Sequence, residues 1–191
     1  MTLTRNVVLA GCLALSLPAF AQGTAPVAQA PAAPTSTFQS DTAGVLAHVQ
    51  EEMVSLEQAM PQSKFTWRPA KGVRSVAEVY LHAAGGGYFF GKLIGFEIPA
   101  EIASQMKDLE KSTTDKAKIQ KILADSFTWF GNQVKTLPDA ELGKTVDFFG
   151  RPMTKRALII AAVGHYQEHL GQSIAYARSN GVVPPWSKGG K

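Results

Sequence analysis

The sequence predicts an all-α protein built as a four-helix bundle, with a short hairpin before the last helix. Three observations carry this. Four segments repeat apolar residues at the three- and four-residue spacing of an amphipathic helix, and no comparable stretch alternates residue by residue as a half-buried strand does. The segments are also punctuated at their ends by capping residues, prolines and glycines. Four such helices joined by short to medium links bury their apolar faces most economically as a bundle.

The chain opens on a segment of a different kind. Residues 1–21 read as an export signal: Arg5 supplies the positive start, Val7 to Leu17 the apolar core, and Ala19-Phe20-Ala21 a small-x-small cleavage site. Cleavage after Ala21 is expected to leave a periplasmic or secreted chain without the single cysteine, and so without a disulfide or a thiol nucleophile. Leu9-Ala10-Gly11-Cys12 offers a competing reading as a lipoprotein box acylated at Cys12, although the apolar run ahead of it is short. The run also falls below the about 20 residues of a membrane helix, so no stable span is expected after cleavage. Residues 22–39 are rich in Ala, Pro, Thr, Gln and Ser and are expected to form a disordered tether, because such a composition buries too little apolar surface to order itself. Residues 40–191 make one domain.

The first helix is expected over residues 42–60, where Val45, Val49, Met53, Leu56 and Met60 form a stripe that Pro61 ends. His48 lies roughly 100° from that stripe and is expected in solvent. The second helix opens at Ser75-Val76-Ala77-Glu78, a capping box in which the serine and glutamate each satisfy a backbone N–H of the first turn. It runs at least through His82. Beyond that, Gly85-Gly86-Gly87, Gly91 and Gly95 each weaken a helix by up to about 1 kcal/mol, leaving its far end open. The third helix, over residues 114–136, presents Ile119, Ile122, Leu123, Phe127, Phe130 and Val134, and Leu137-Pro138-Asp139 stops it. Val146 to Met153 reads as an extended turn or short hairpin. Thr154 caps the fourth helix, which closes with Arg178, Asn180-Gly181 and Pro184-Pro185. This last helix is expected to keep little freely solvated face.

Chemistry concentrates on histidine, of which the chain has four. His165 and His169 are four residues apart and share a helix face. His82 sits among Val79, Gly86, Phe89, Phe90 and Leu93 on the inward face of the second helix. A ring buried there must regain a hydrogen bond or bind a cation, since an unsatisfied buried polar group costs about 1–3 kcal/mol. Three imidazoles meeting in a core hold one metal ion; taken singly, His82 could instead bond a carbonyl. Zinc is the expected ion, and nickel or iron also accept imidazoles. Gln172 and Tyr176 lie on the histidine side and either line a pocket or pair with neighbouring helices. Tyr88 and Trp67 are further pocket candidates. Glu168 is the candidate general base, but it lies about 80° off the centre of the histidine pair, which suits a solvated or outer carboxylate equally well.

Several motifs, taken in order, resemble the DinB/YfiT-like family of helical bundles. They are Trp67-Arg68-Pro69, Ser75-Val76-Ala77-Glu78-Val79-Tyr80-Leu81-His82, Thr154, His165-Tyr166-Gln167-Glu168-His169-Leu170-Gly171-Gln172, and Tyr176-Ala177-Arg178-Ser179-Asn180-Gly181-Val182-Val183-Pro184-Pro185. The resemblance spans residues 40–186. It implies a four-helix bundle, often a homodimer, with a divalent metal on a histidine triad at the positions of His82, His165 and His169. Relatives include thiol-dependent transferases, metal-dependent hydrolases and many proteins of no known reaction.

The charge excludes one class of partner. The chain carries 19 Lys+Arg against 15 Asp+Glu, interspersed rather than massed, and its most basic stretch, Lys64, Arg68, Lys71 and Arg74, reads as solvated surface, so no nucleic acid is expected. The expected function is a metal-dependent hydrolase of an unnamed small molecule, with metal-bound water as nucleophile. A non-catalytic metal- or ligand-binding module is the alternative, and a thiol-dependent S-transferase follows from the resemblance alone.

Overall fold

The computed structural model describes residues 36–187. The export signal, the acylation site at Cys12 and nearly all of the tether lie outside the described residues.

Helix α1 covers Phe38–Ala59, starting earlier than its apolar stripe indicates because Thr37 and Ser40 form a capping box ahead of it. Helix α2 covers Val76–Ile94 and runs unbroken through the glycine run. Its start is the expected box: Glu78 N–H donates to Ser75 Oγ at 3.3 Å and Ser75 N–H to Glu78 Oε2 at 2.7 Å. Its end is Gly95 at φ 101°, a left-handed cap that suits glycine. Two short helices absent from the expected four follow at different points, α3 over Ala100–Gln105 and α5 over Asp139–Leu142. Neither is long enough to show helical periodicity. Between them α4 covers Lys116–Thr136, capped by Asp115, whose side chain accepts from Lys118 N–H at 2.9 Å. The hairpin pairs β1, Thr145–Phe148, with β2, Arg151–Thr154, antiparallel. Pro152 fits because a two-stranded ribbon leaves its missing N–H at an edge. Thr154 then caps α6, Lys155–Ser179, accepting from Ala157 N–H at 3.2 Å.

The four long helices pack as a square in the order α1, α4, α2, α6, with α1 and α2 on one diagonal. Leu46, Met53, Leu56, Leu81, Leu123, Phe130 and Leu158 are among the buried residues that fill it. The link from α1 to α2 crosses that diagonal, held by buried Phe65, whose carbonyl accepts from Ala77 N–H at 2.9 Å. Lys116 on α4 closes the end of α1, its Nζ donating to the carbonyls of Gln58 at 2.6 Å and Met60 at 2.9 Å, where the helix dipole favours a cation. Contrary to expectation, α6 keeps a solvated face through Ile160, Gly164, Gln167 and Gly171. Among the described residues no helix is long and apolar enough to cross a membrane.

One buried group breaks the rule that core polar atoms are paired. Glu57 of α1 is fully buried, and neither carboxylate oxygen has a hydrogen-bond partner among the described residues; the hydroxyls of Tyr80 on α2 and Ser173 on α6 are likewise buried and unpaired. Burial pushes the Glu57 carboxyl up to about 7, and the positive charge of Lys116 opposes this only in part. The native state therefore holds a proton on Glu57 that the unfolded chain releases from about pH 4.5 upward. Stability should fall as pH rises through that window and level off above about 7, with a total loss of about 3 kcal/mol. Glu57→Gln should flatten this dependence and be the more stable protein at pH 8. Urea unfolding midpoints of the two proteins at pH 5 and pH 8 read the difference directly, and parallel pH profiles would show that Glu57 is ionised in the native core.

Candidate metal centre

His82 stands in the middle of α2, and His165 and His169 stand one turn apart on α6. The two helices cross closely here because α2 is glycine at the contact. A Cβ on Gly86 would collide with the His165 ring at Nε2, and one on Gly87 would collide with the hydroxyl of Tyr166. The glycine run that costs α2 intrinsic helicity is thus what lets α6 approach it. Ring centroids are 5.2 Å apart for His82 and His165, 4.7 Å for His82 and His169, and 4.5 Å for His165 and His169. One ligating nitrogen from each lies within 4.8 Å of the other two, as a single ion requires.

The rings are oriented from outside. His82 Nδ1–H donates to Glu110 Oε2 at 2.8 Å, and Glu110 in turn accepts from the Arg74 guanidinium at 2.8 and 3.3 Å. His169 Nδ1–H donates to Gln172 Oε1 at 2.9 Å, Gln172 Nε2 donates to the Tyr176 hydroxyl at 3.1 Å, and that hydroxyl donates to the Arg74 carbonyl at 3.1 Å. Arg74 thus stands at the middle of a chain of hydrogen bonds that joins two histidines on different helices. Donation from Nδ1 leaves Nε2 of His82 and of His169 as the lone-pair nitrogen, the tautomer a metal ligand needs. His165 differs, its Nε2 being buried with no hydrogen-bond partner.

Electrostatics favour neutral imidazoles. Burial pushes His165 down to about 4, and the neighbouring His169 and His82 act in the same direction. Burial also lowers His169, against the opposing bond to Gln172. Partial burial alone would raise the Glu110 carboxyl, yet its hydrogen bonds from Arg74 and His82 hold it below the usual range. Two neutral rings, an orphaned nitrogen and a carboxylate behind His82 suit a divalent cation, which takes deprotonated imidazole. Three imidazole donors accept zinc, nickel or iron alike.

A cavity of about 390 Å³ opens onto His82 and His165, walled by Phe89, Phe90, Leu109 and Phe148. Gln172 and Tyr176 are not on this wall; they orient His169. Tyr88 is not there either. It lies six residues, hence about 120°, round the helix from His82 and packs on Trp129 of α4 at 5.0 Å. Trp67 packs edge-on against Tyr176 at 5.2 Å, Glu168 is exposed and outside the cavity, and the His48 side chain is exposed beside Glu52. Sequence reasoning missed Glu110, which sits in the 3₁₀ turn Leu109–Lys111, too short to carry a period. It read Arg74 as surface charge and the Phe148-Phe149 pair as mere turn.

Comparison with known proteins fits this architecture. The profile described as DinB superfamily matches residues 46–173. A DinB-like protein from Bacillus cereus superposes with a TM-score of 0.68 at 18% identity, covering 78% of this chain and 98% of its own. A DinB-like protein from Bacillus subtilis gives 0.60 at 20%, covering 75% and 93%, and a conserved protein from Enterococcus faecalis gives 0.62 at 15%, covering 73% and 95%. At such identities the likeness speaks for the fold. No curated protein matches the chain.

Two substitutions test how the centre is built. Glu110→Gln should weaken zinc binding about 10- to 100-fold by loosening His82, with the helical circular dichroism unchanged. Gly86→Ala should weaken it at least as much by displacing His165. Competition titration against a chromophoric chelator measures both, and wild-type affinity in Glu110→Gln would remove that carboxylate from any role at the metal.

Proposed function

The chain belongs to the DinB superfamily, and from that premise we propose that it is an exported metal-dependent hydrolase of a small molecule, with one divalent cation held by His82, His165 and His169. The observation that carries the reading is the coincidence of three features: histidines that can hold an ion, outer hydrogen bonds that set two of them in the ligand tautomer, and a cavity opening on the same spot. Export rests on the character of residues 1–21. Zinc is the proposed ion, since three imidazoles with a position left open are its usual catalytic setting.

A bound divalent cation would supply Lewis acidity, lowering the pKa of a water or polarising a carbonyl. The protein's own part is placement and exclusion. Glu110 and Gln172 hold the imidazole planes of His82 and His169, and phenyl rings make the cavity wall beside them apolar. Glu110 is the one carboxylate on that wall among the described residues, and it is already committed to Arg74 and His82. No free carboxylate base stands there, and Glu168 is turned away.

Untagged protein should bind about one divalent ion per chain, and His165→Ala should lose it. Elemental analysis after dialysis decides this. In a cobalt-substituted sample, azide should change the visible spectrum by entering an open position. A spectrum indifferent to every small anion would mean a closed site, and the hydrolase reading would give way to a non-catalytic metal module.

A further inference from the structure

We infer that the β1–β2 hairpin is a substrate clamp, and that what it grips is a flat apolar group, an aromatic ring or its equal, whose donor atom faces the histidines. The inference rests on the metal-site reading above for the donor end and on the cavity walls for the apolar end.

The turn itself breaks a local rule. Phe149 and Gly150 are its two central residues, at φ 53° and φ 79°, which is the mirror-image turn that favours Asn-Gly or Asp-Gly. A phenylalanine in the left-handed region is an outlier whose β-carbon is crowded there. Nor is it placed for burial, since its side chain is among the exposed large hydrophobics at 78% exposure. Its contacts within the protein are with Phe89 and the adjoining Phe148, and they leave most of the ring in solvent. Strain held at an exposed aromatic on the lip of a cavity points to a contact made with something else.

The neighbouring rings show what that contact is. Phe149 stacks on Phe89 at 5.9 Å with 24° between planes, and Phe148 stacks on Phe90 at 6.1 Å with 19°. Phe90 then meets the His165 ring edge-on at 5.6 Å. Two phenyl rings of the hairpin therefore pack directly on two of α2 and build one continuous apolar rim at the cavity mouth, in a row that ends on His165. The cavity, about 390 Å³, is of a size for a small molecule, and Leu109 and Met106 complete its apolar side. Such walls recognise a planar apolar body by stacking and burial. They give no hydrogen-bonding frame for a sugar or a peptide backbone. Lys107 at the rim leaves room for a single negative charge at the outer end of the ligand.

Two hydroxamates with the same metal-binding head test the clamp on the cobalt-loaded full chain, followed by visible absorption. Benzohydroxamate should bind about tenfold more tightly than acetohydroxamate, a gap of about 1.4 kcal/mol. In Phe149→Asn that gap should shrink to about threefold or less while acetohydroxamate affinity holds. The same variant should melt at the wild-type temperature or above, because asparagine suits the turn better; a purely structural phenylalanine would lower it. Equal affinity of the two hydroxamates for wild type, or a full gap surviving in Phe149→Asn, overturns the clamp. If neither hydroxamate alters the cobalt spectrum, the metal reading fails separately, and a neutral naphthalene dye added to metal-free protein decides the clamp alone. Enhanced emission with wild type that Phe149→Asn abolishes upholds it, and absence of enhancement with wild type overturns it.

Discussion

The close crossing of α2 on α6 is the constraint on which the centre depends. His82 belongs to one helix and the other two histidines to its neighbour, so no arrangement of side chains brings the three together unless the backbones come close first. Gly86 and Gly87 remove the side chains that would keep them apart, and buried Tyr166 occupies the room that Gly87 leaves. The helix accepts an intrinsic penalty of up to about 1 kcal/mol per glycine relative to alanine. Packing against α4 and α6 on both sides offsets it, and α2 accordingly runs straight through to the cap at Gly95. Stability and site geometry are joined here, because the same two positions decide how α2 packs and where His165 lies.

The line of outer hydrogen bonds then makes one unit of segments far apart in the sequence. Arg74 precedes the cap of α2, Glu110 comes from a turn between α3 and α4, and Gln172 and Tyr176 come from α6. Ionised Glu110, held so partly by Arg74, fixes the donors on the His82 side, and the Arg74 carbonyl, which can only accept, fixes them on the His169 side. A carboxylate behind a metal-ligating histidine raises the basicity of that ligand as well as fixing its plane. His165, lacking such a partner, is placed by packing against Gly86 and Phe90 instead. The three ligands are therefore held by two different means, hydrogen bonding for two and steric enclosure for one.

The long helices and the histidine trio were legible in the sequence because both depend on periodicity: apolar residues repeat along a face, and an i, i+4 pair must share one. The capping residues Ser75, Thr154 and Gly181 were legible for the same reason, each acting within a few residues of itself. What escaped is what depends on separation. Glu110 lies 28 residues from His82 and 36 from Arg74, in a turn with no pattern of its own. Tyr88, a pocket candidate from the sequence, lies instead on the α4 side, because six helical residues turn it about 120° from His82. Gln172 and Tyr176 were placed on the right face, but a helical wheel cannot tell a residue that lines a cavity from one that steers a ligand.

The departures from local rules divide instructively. Gly85 and Gly86 inside α2 and Phe149 in its left-handed turn each lower the intrinsic stability of their own element, and each borders the histidine cavity. Natural sequences tolerate such conflicts where a site requires them. Glu57 is a third departure, since its buried carboxylate also opposes stability, yet it is not part of the cavity wall and makes no hydrogen bond to the residues that orient the histidines. The buried hydroxyl of Tyr80, on one of the helices that carry the histidines, lies near enough to feel its charge. A proton kept on Glu57 below about pH 7 makes it a neutral group in the seam of α1 with the rest of the bundle. Loss of that proton strains the seam rather than the site, so its pH dependence belongs to folding and need not track that of the metal centre.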